Sequence, residues 1–311
     1  MGDKHATERL AGDAAGIARA AALIESGRLV ALPTETVYGL AGRADRAEAV
    51  AAIYRAKGRP DFNPLIVHVP DVAAAERLAL FDDRARQLAA RFWPGPLTMV
   101  LPLAPDAAVA AAVTAGLPTI ALRCPAHPLM RAVLAESGLP LAAPSANRSG
   151  GVSPTSADHV LRTLDARIAA VLDGGPSARG LESTIVALRE TGWQLLREGP
   201  ILREEIESLL GAPLAITEAW IEAPGQLAQH YSPGKPVRLE AREAQSDEFM
   251  IGFGNVGGDC SLSEAGDLAE ALGWAFLAGD GGQTNQTGPV VGEGRQNGAV
   301  VGGEAGEGEG D

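Results

Sequence analysis

The stretch Arg28-Leu29-Val30-Ala31-Leu32-Pro33-Thr34-Glu35-Thr36-Val37-Tyr38-Gly39-Leu40 decides the fold class. Leu29 to Leu32 is an unbroken apolar run, too short for a helix and stopped by Pro33, which predicts a buried strand over Arg28–Leu32. Two hydroxyls and a carboxylate follow at once. In open α/β sheets the ends of strands are where ligands bind, although the same cluster taken alone is equally a helix N-cap.

Outward from this strand, helical and strand patterns alternate, as in an α/β domain. Residues 13–26 are alanine-rich with helical spacing and stop at Gly27. Helices are predicted over Asp45–Ala56, Asp82–Phe92, His127–Glu136, Ser156–Leu164 and Leu202–Leu210. Strands are predicted over Leu65–Val69, Leu97–Leu101, Thr119–Leu122, Leu141–Ala143, Ile168–Leu172, Ser183–Leu188 and Trp193–Arg197. Prolines 213, 224, 233 and 236 then mark 211–236 as a linker. A smaller α/β segment follows over 237–278, with a strand at Glu248–Phe253 and a helix at Glu264–Leu272.

Of 311 residues, 46% are hydrophobic, enough for a real core, and the net charge is −13. That charge excludes a protein coated in basic groups for non-specific nucleic-acid binding, but not a local basic site. The stretch 279–311 holds 12 of the 38 glycines, and its six acidic residues face Arg295 alone. Such a composition predicts a disordered tail. The N-terminus lacks an apolar signal-peptide core and no run is long enough for a membrane helix, so a cytoplasmic protein is expected.

Common site signatures are missing. There is no GxxxxGK[ST], GxSxG or HExxH, and Cys124 and Cys260 form no CxxC pair, so no metal site is read. Gly252-Phe253-Gly254-Asn255-Val256-Gly257 fits GxGxxG but lacks the βαβ unit that should follow, and it reads as a turn.

Three polar clusters remain. The first is Thr34–Thr36. The second is Lys57-Gly58-Arg59-Pro60, running through Asn63 to His68; Lys57 is one of only three lysines in the chain. A compact charge beside a forked guanidinium suits a polyphosphate. The third is Pro144-Ser145-Ala146-Asn147-Arg148-Ser149-Gly150-Gly151 with Ser153, a plausible anion cradle before a helix. Thr119 with Arg123, and Ser183-Thr184 with Arg197, add polar groups to apolar strands. His127 and His159 are read as structural and without partners.

The runs LPTETVYGLAG, KGRP, WPGPLT, PSANRSG, LESTIV and REG, in this order between Leu23 and Leu210, resemble the YrdC-type threonylcarbamoyl-AMP synthase family. Ala223-Pro224-Gly225-Gln226 to His230-Tyr231-Ser232-Pro233 resembles the linker of its long form. The resemblance implies a twisted mixed open sheet with helices on its faces as the catalytic domain, 13–210. It implies that L-threonine and bicarbonate form a carbamate, which attacks ATP to give threonylcarbamoyl-AMP and pyrophosphate with Mg2+ at the phosphates. That product feeds the downstream tRNA machinery that modifies position 37, with possible direct tRNA or double-stranded RNA contact.

Carried over by motif, Thr36, His68, Arg123, Ala143 and Ser183 line the threonine side. Arg59, Asn63, Thr119, Ser145, Ser153 and Arg197 line the nucleotide side. Lys57 and Asn147 assist at the phosphates, with Lys57 and Arg59 expected to be catalytic, and Tyr231 reaches in from the linker. In long-form relatives the C-terminal domain is a compact α/β unit, whereas here it is expected to be incomplete. A non-catalytic RNA-binding relative is the alternative. A carbamoyltransferase of hydrogenase maturation would need zinc-binding cysteine pairs, which the chain lacks.

Overall fold

The computed structural model describes residues 6–59, 63–214, 222–224, 237–245, 248–261 and 298–302. The chain divides into two compact units, one of Met1–Ser149 with Ser153–His230 and one of Gly150–Val152 with Tyr231–Asp311.

The first unit contains β1 (Glu8–Leu10), α1 (Ala14–Glu25), β2 (Val30–Leu32), β3 (Gly39–Arg43), α2 (Ala47–Lys57), β4 (Ile66–His68), α3 (Val72–Glu76), α4 (Asp83–Phe92) and β5 (Leu97–Pro102). It continues with α5 (Ala111–Thr114), β6 (Thr119–Arg123), α6 (Pro128–Ser137), β7 (Leu141–Ala142), α7 (Ala157–Leu164), β8 (Ala170–Leu172), β9 (Thr184–Arg189), β10 (Gly192–Arg197) and α8 (Arg203–Leu210). The ten strands form one mixed sheet in the order β1-β8-β2-β3-β7-β4-β6-β5-β9-β10. Parallel pairs (β4 with β6, β5 with β9) alternate with antiparallel ones (β5 with β6, β9 with β10).

Local chemistry sets the element ends. The Asp13 carboxylate accepts from the Gly16 N–H at 2.8 Å and caps α1, and Gly27 follows it at φ 84°. Gly58, at φ 61°, ends α2 in the left-handed conformation, so the chain can turn sharply into Arg59. Strand β3 is absent from the sequence reading because Gly39 and Gly42 depress strand propensity. A Cβ on Gly42 would fall 2.9 Å from Leu29 Cδ2, so a larger residue there would require the Leu29 side chain to shift.

Side chains alternate across the strands, and the two faces are covered differently. Ala31, Leu40, Val67, Met99, Leu122 and Val186 face the main core, which is filled by α2, α4, α7 and α8 through residues such as Ile53, Leu88, Val160 and Ile206. On the opposite face, Val30, Leu32, Ala41 and Leu172 pack under Ile24 of α1 and Val133 of α6. Further along that face, Ile66, Val100, Ala121, Ile185 and Ala187 meet Ala223 of the linker instead of a helix. This part of the sheet is the floor of a cleft.

The second unit contains β11 (Val237–Ala241), β12 (Glu248–Gly252), β13 (Cys260–Ser261) and β14 (Gly298–Gly302), in the order β11-β14-β12-β13. Within the stretch 279–311, expected to be disordered, Gly298–Gly302 is described as β14, which pairs antiparallel with both β11 and β12. Ala299, Val300 and Val301 supply an apolar run that the glycine count conceals. The GxGxxG match is a turn, closed by a bridge between Phe253 and Val256. The expected helix Glu264–Leu272 lies outside the described residues. No helix among them is long and apolar enough to cross a membrane.

Candidate active site

Strands β4 and β6 bring His68 and Arg123 side by side, because His68 is the register partner of Arg123 in the parallel ladder. Arg123 is buried and tied at three points. Its Nη1 donates to Thr36 Oγ1 at 2.8 Å, Nη2 to Glu35 Oε1 at 2.6 Å, and Nε to the Gly95 carbonyl at 3.2 Å. The other Glu35 oxygen accepts from the Ala126 N–H at 3.0 Å. Burial raises the Glu35 carboxyl, but the Arg123 charge and these hydrogen bonds outweigh it and hold it below the usual carboxylate range. Thr34 Oγ1 donates to the Val37 carbonyl at 2.6 Å and shares a hydrogen bond with Thr36 Oγ1 at 2.8 Å. The polar cluster after β2 is therefore a rigid turn around a guanidinium. The bare N-cap reading does not hold, because β3 follows it.

His68 is 3% exposed, and its Nδ1 has no hydrogen-bond partner among the described residues. Burial, aided by the Arg123 charge, pushes its pKa down to about 3, so the imidazole is neutral and free to accept. Ser183, just before β9, shares a 2.7 Å hydrogen bond with Thr98 and accepts from Arg197 Nη2 at 3.0 Å.

A second charged region forms where β10 and the loops after α2 and β7 meet. Arg59 is pinned by the carbonyls of Asn63 (3.4 Å) and Pro64 (3.1 Å). Arg197 donates from Nε to the Ser183 carbonyl at 3.0 Å and from Nη1 to Glu182, whose other oxygen accepts from Ser153 Oγ at 2.7 Å. Lys57 is 2% exposed, and its ammonium donates to the carbonyls of Ser145 and Asn147, both at 2.6 Å. It holds the Ser145–Asn147 loop from behind instead of lining the cleft. Burial, helped by the Arg59 charge and opposed by Glu182, lowers its pKa to about 7.

The cleft is open to solvent and runs from Thr36, His68 and Arg123 past Ala143 and Ser145 to Arg59, Ser183 and Arg197. Among the described residues six buried side-chain polar atoms have no partner; His68 Nδ1 is one that belongs to a cleft-lining residue, while Asn63 Oδ1 and Thr119 Oγ1 belong to residues that do not line the cleft. Buried polar groups are rarely left unpaired, so the His68 nitrogen at the cleft points to a ligand. Asn63 and Thr119 lie at the opposite ends of β4 and β6 from His68 and Arg123. The span from Thr119 to Arg123 is roughly 13 Å at strand rise, long enough for an extended ligand. Among the described residues no group of three His, Cys, Asp or Glu could hold a metal.

This architecture matches known proteins over most of the chain. The family profile Sua5/YciO/YrdC, described as telomere recombination, matches residues 22–199. A second, the C-terminal domain of threonylcarbamoyl-AMP synthase, matches 201–281. The chain belongs to the Sua5/YciO/YrdC family. It is 47% identical over 240 residues to the threonylcarbamoyl-AMP synthase of Bacillus subtilis, covering 75% of this chain and 69% of that one. It is 44% identical to the enzyme of that name from Pyrococcus abyssi over 70% of this chain and 66% of that one. The structure of P. abyssi Sua5 complexed with L-threonine superposes with a TM-score of 0.76 at 35% identity, covering 90% of this chain and 91% of that one. The sequence alignments thus span about two thirds of these relatives' length.

Within this family fold, eight of the residues expected from the sequence line the one cleft: Thr36, Arg59, His68, Arg123, Ala143, Ser145, Ser183 and Arg197. Ser153 reaches it through Glu182, and Asn147 stands behind it with Lys57. Tyr231 lies outside the described residues. Glu35 and Glu182 were not expected as site residues; each is a carboxylate bound to a guanidinium, and only the pairing reveals it. His127 caps α6, and His159 is not partnerless, since its Nδ1 lies 3.1 Å from Thr155 Oγ1.

Proposed function

We propose that this chain makes L-threonylcarbamoyl-AMP from L-threonine, bicarbonate and ATP, releasing pyrophosphate. The observation that carries the reading is a single cleft with a braced guanidinium and a neutral imidazole at one end, and two further guanidinium groups at the other. Arg123 receives the threonine carboxylate. Thr36, Ser183 and the unpartnered His68 nitrogen receive its hydroxyl and amino groups, against the small wall of Ala143. Arg59, Arg197, Ser145 and Ser153 receive the nucleotide phosphates, and Asn63 and Thr119 its distal part. Lys57 and Asn147 shape the loop that carries Ser145.

The protein then has little covalent work. A carbamate oxygen of N-carboxythreonine forms a bond to the α-phosphorus as the bond to the pyrophosphate oxygen breaks. Positioning and charge neutralisation by Arg59 and Arg197 lower the barrier. We assign Mg2+ to the nucleotide's own phosphates, since it dehydrates reluctantly and keeps phosphate and water ligands. The linker 211–236 serves as a lid, with Tyr231 on it. This is supported by Ala223 packing on the sheet floor and by the Pro224 carbonyl accepting from Arg197 Nη1 at 3.4 Å. Excluding water protects the carbamate and the mixed anhydride. We place the protein in the cytoplasm, handing its product to the tRNA-modifying machinery. The rival RNA-binding reading is disfavoured because it leaves the buried His68 nitrogen in the cleft without a ligand.

Pyrophosphate release is the test. It should require ATP, L-threonine and bicarbonate together, and release unaffected by omitting threonine would overturn the reading.

A further inference from the structure

Glu182 is the one carboxylate among the residues that line the cleft, and it sits where the reading above puts phosphates. Its two oxygens are divided between the two groups assigned to the nucleotide: Oε1 accepts from Ser153 Oγ at 2.7 Å, and Oε2 from Arg197 Nη1. A polyanion entering this seat meets a resident negative charge, which must either leave or repel it. A carboxylate and a phosphate oxygen accept from a guanidinium and a hydroxyl in the same manner, so one can replace the other.

The surroundings allow the exchange. Arg197 is separately fixed by its Nε bond to the Ser183 carbonyl and its Nη2 bond to Ser183 Oγ. Losing Glu182 therefore changes the partner of one nitrogen without releasing the side chain. Glu182 itself lies outside regular structure just before β9, two residues after Gly180 at φ 70°.

We propose that Glu182 is a built-in competitor for the phosphate seat. It holds Arg197 and Ser153 in the empty cleft, yields them to the nucleotide, and returns as pyrophosphate leaves. The inference rests on the assignment of ATP to this end of the cleft. Its consequence is that the enzyme binds pyrophosphate less tightly than its guanidinium groups alone would, which speeds product release.

Calorimetric titration of inorganic pyrophosphate into the whole protein, without divalent cation, tests this. Glu182→Gln is expected to bind pyrophosphate about tenfold more tightly than wild type, with L-threonine affinity unchanged. In turnover the same variant is expected to show a lower KM for ATP, a lower kcat and stronger inhibition by pyrophosphate. A residue that merely holds the loop together would weaken binding instead. Glu182→Asp keeps the charge but is too short to reach both partners, so it should also tighten binding, by less. It carries the test if Glu182→Gln does not fold. Pyrophosphate binding that is unchanged or weaker in the folded variants overturns the inference. Failure of ATP and pyrophosphate to bind even the wild type would overturn the nucleotide assignment itself.

Discussion

Glu35 and Arg123 form an ion pair at 2.6 Å, with side chains 14% and 5% exposed, although 88 residues separate them in the chain. The pair joins the turn after β2 to the end of β6 and sets the direction of the guanidinium fork. Removing one partner of a buried pair leaves the other charge uncompensated, which costs about 3–5 kcal/mol. Glu35→Ala should therefore lower the urea midpoint markedly and abolish L-threonine binding. A variant of wild-type stability would show that the pair is not a structural tie.

His68 makes stability depend on pH in a defined direction. Its folded pKa of about 3 lies below the ordinary value of 6.5, so the unfolded chain binds its proton first as pH falls. The stability associated with it is whole above about pH 6.5 and declines towards pH 3, at about 1.4 kcal/mol per pH unit. His159, at about 4, adds a similar slope over part of that range. Urea unfolding between pH 6.5 and 4.5 should show a slope that His68→Asn reduces by about one proton's worth. An unaltered slope would mean that His68 is charged in the folded protein.

Most of the fold was legible because its strands are short apolar runs bounded by glycine, proline or polar clusters, as at Val30–Leu32 and Thr119–Arg123. What escaped has physical reasons. β3 carries two glycines that weaken the strand signal, β1 is a three-residue edge strand with two charges, and α5 is a single turn. In the sequence, hydroxyls and arginines stood out against apolar strands, and residues of the LESTIV and PTET runs line the cleft. Which carboxylate each arginine holds depends on how loops meet in the fold, 88 residues apart for Glu35 and Arg123 and 15 apart for Glu182 and Arg197, and no common spacing encodes that.

Lys57 supports the Ser145–Asn147 loop through two main-chain carbonyls, so its loss should disturb one end of the cleft only. Lys57→Met leaves both carbonyls without their donor, at about 1–3 kcal/mol for each buried group. Nucleotide affinity should fall while L-threonine affinity stays within about twofold. Equal loss of both ligands in calorimetry would argue against a role confined to the loop.

Arg59 is the guanidinium assigned to phosphates that has no carboxylate partner among the described residues: its hydrogen bonds go to the carbonyls of Asn63 and Pro64. Arg59→Ala should weaken ATP binding by about 1.5–3 kcal/mol, the worth of a charge-assisted contact, or roughly ten- to a hundredfold. Steady-state kinetics with ATP varied reads this directly, and unchanged kcat/KM for ATP would sink the assignment.

Thr119 offers the sharpest separation of ligand binding from folding. Its hydroxyl is buried at the start of β6 with no partner among the described residues, so in the empty protein it is a liability. Thr119→Val keeps the β-branched shape that suits a strand and removes the unsatisfied oxygen. Since an unmet buried polar group costs about 1–3 kcal/mol, the variant should be more stable than wild type by about 1 kcal/mol. If the hydroxyl exists to meet the nucleotide, ATP affinity should fall at the same time, by about one hydrogen bond. Thermal melting with and without ATP measures both effects in one experiment. The variant should melt higher than wild type alone and gain less from added ATP. A variant that is less stable without ligand, or one that gains as much from ATP as wild type does, would place Thr119 outside the site.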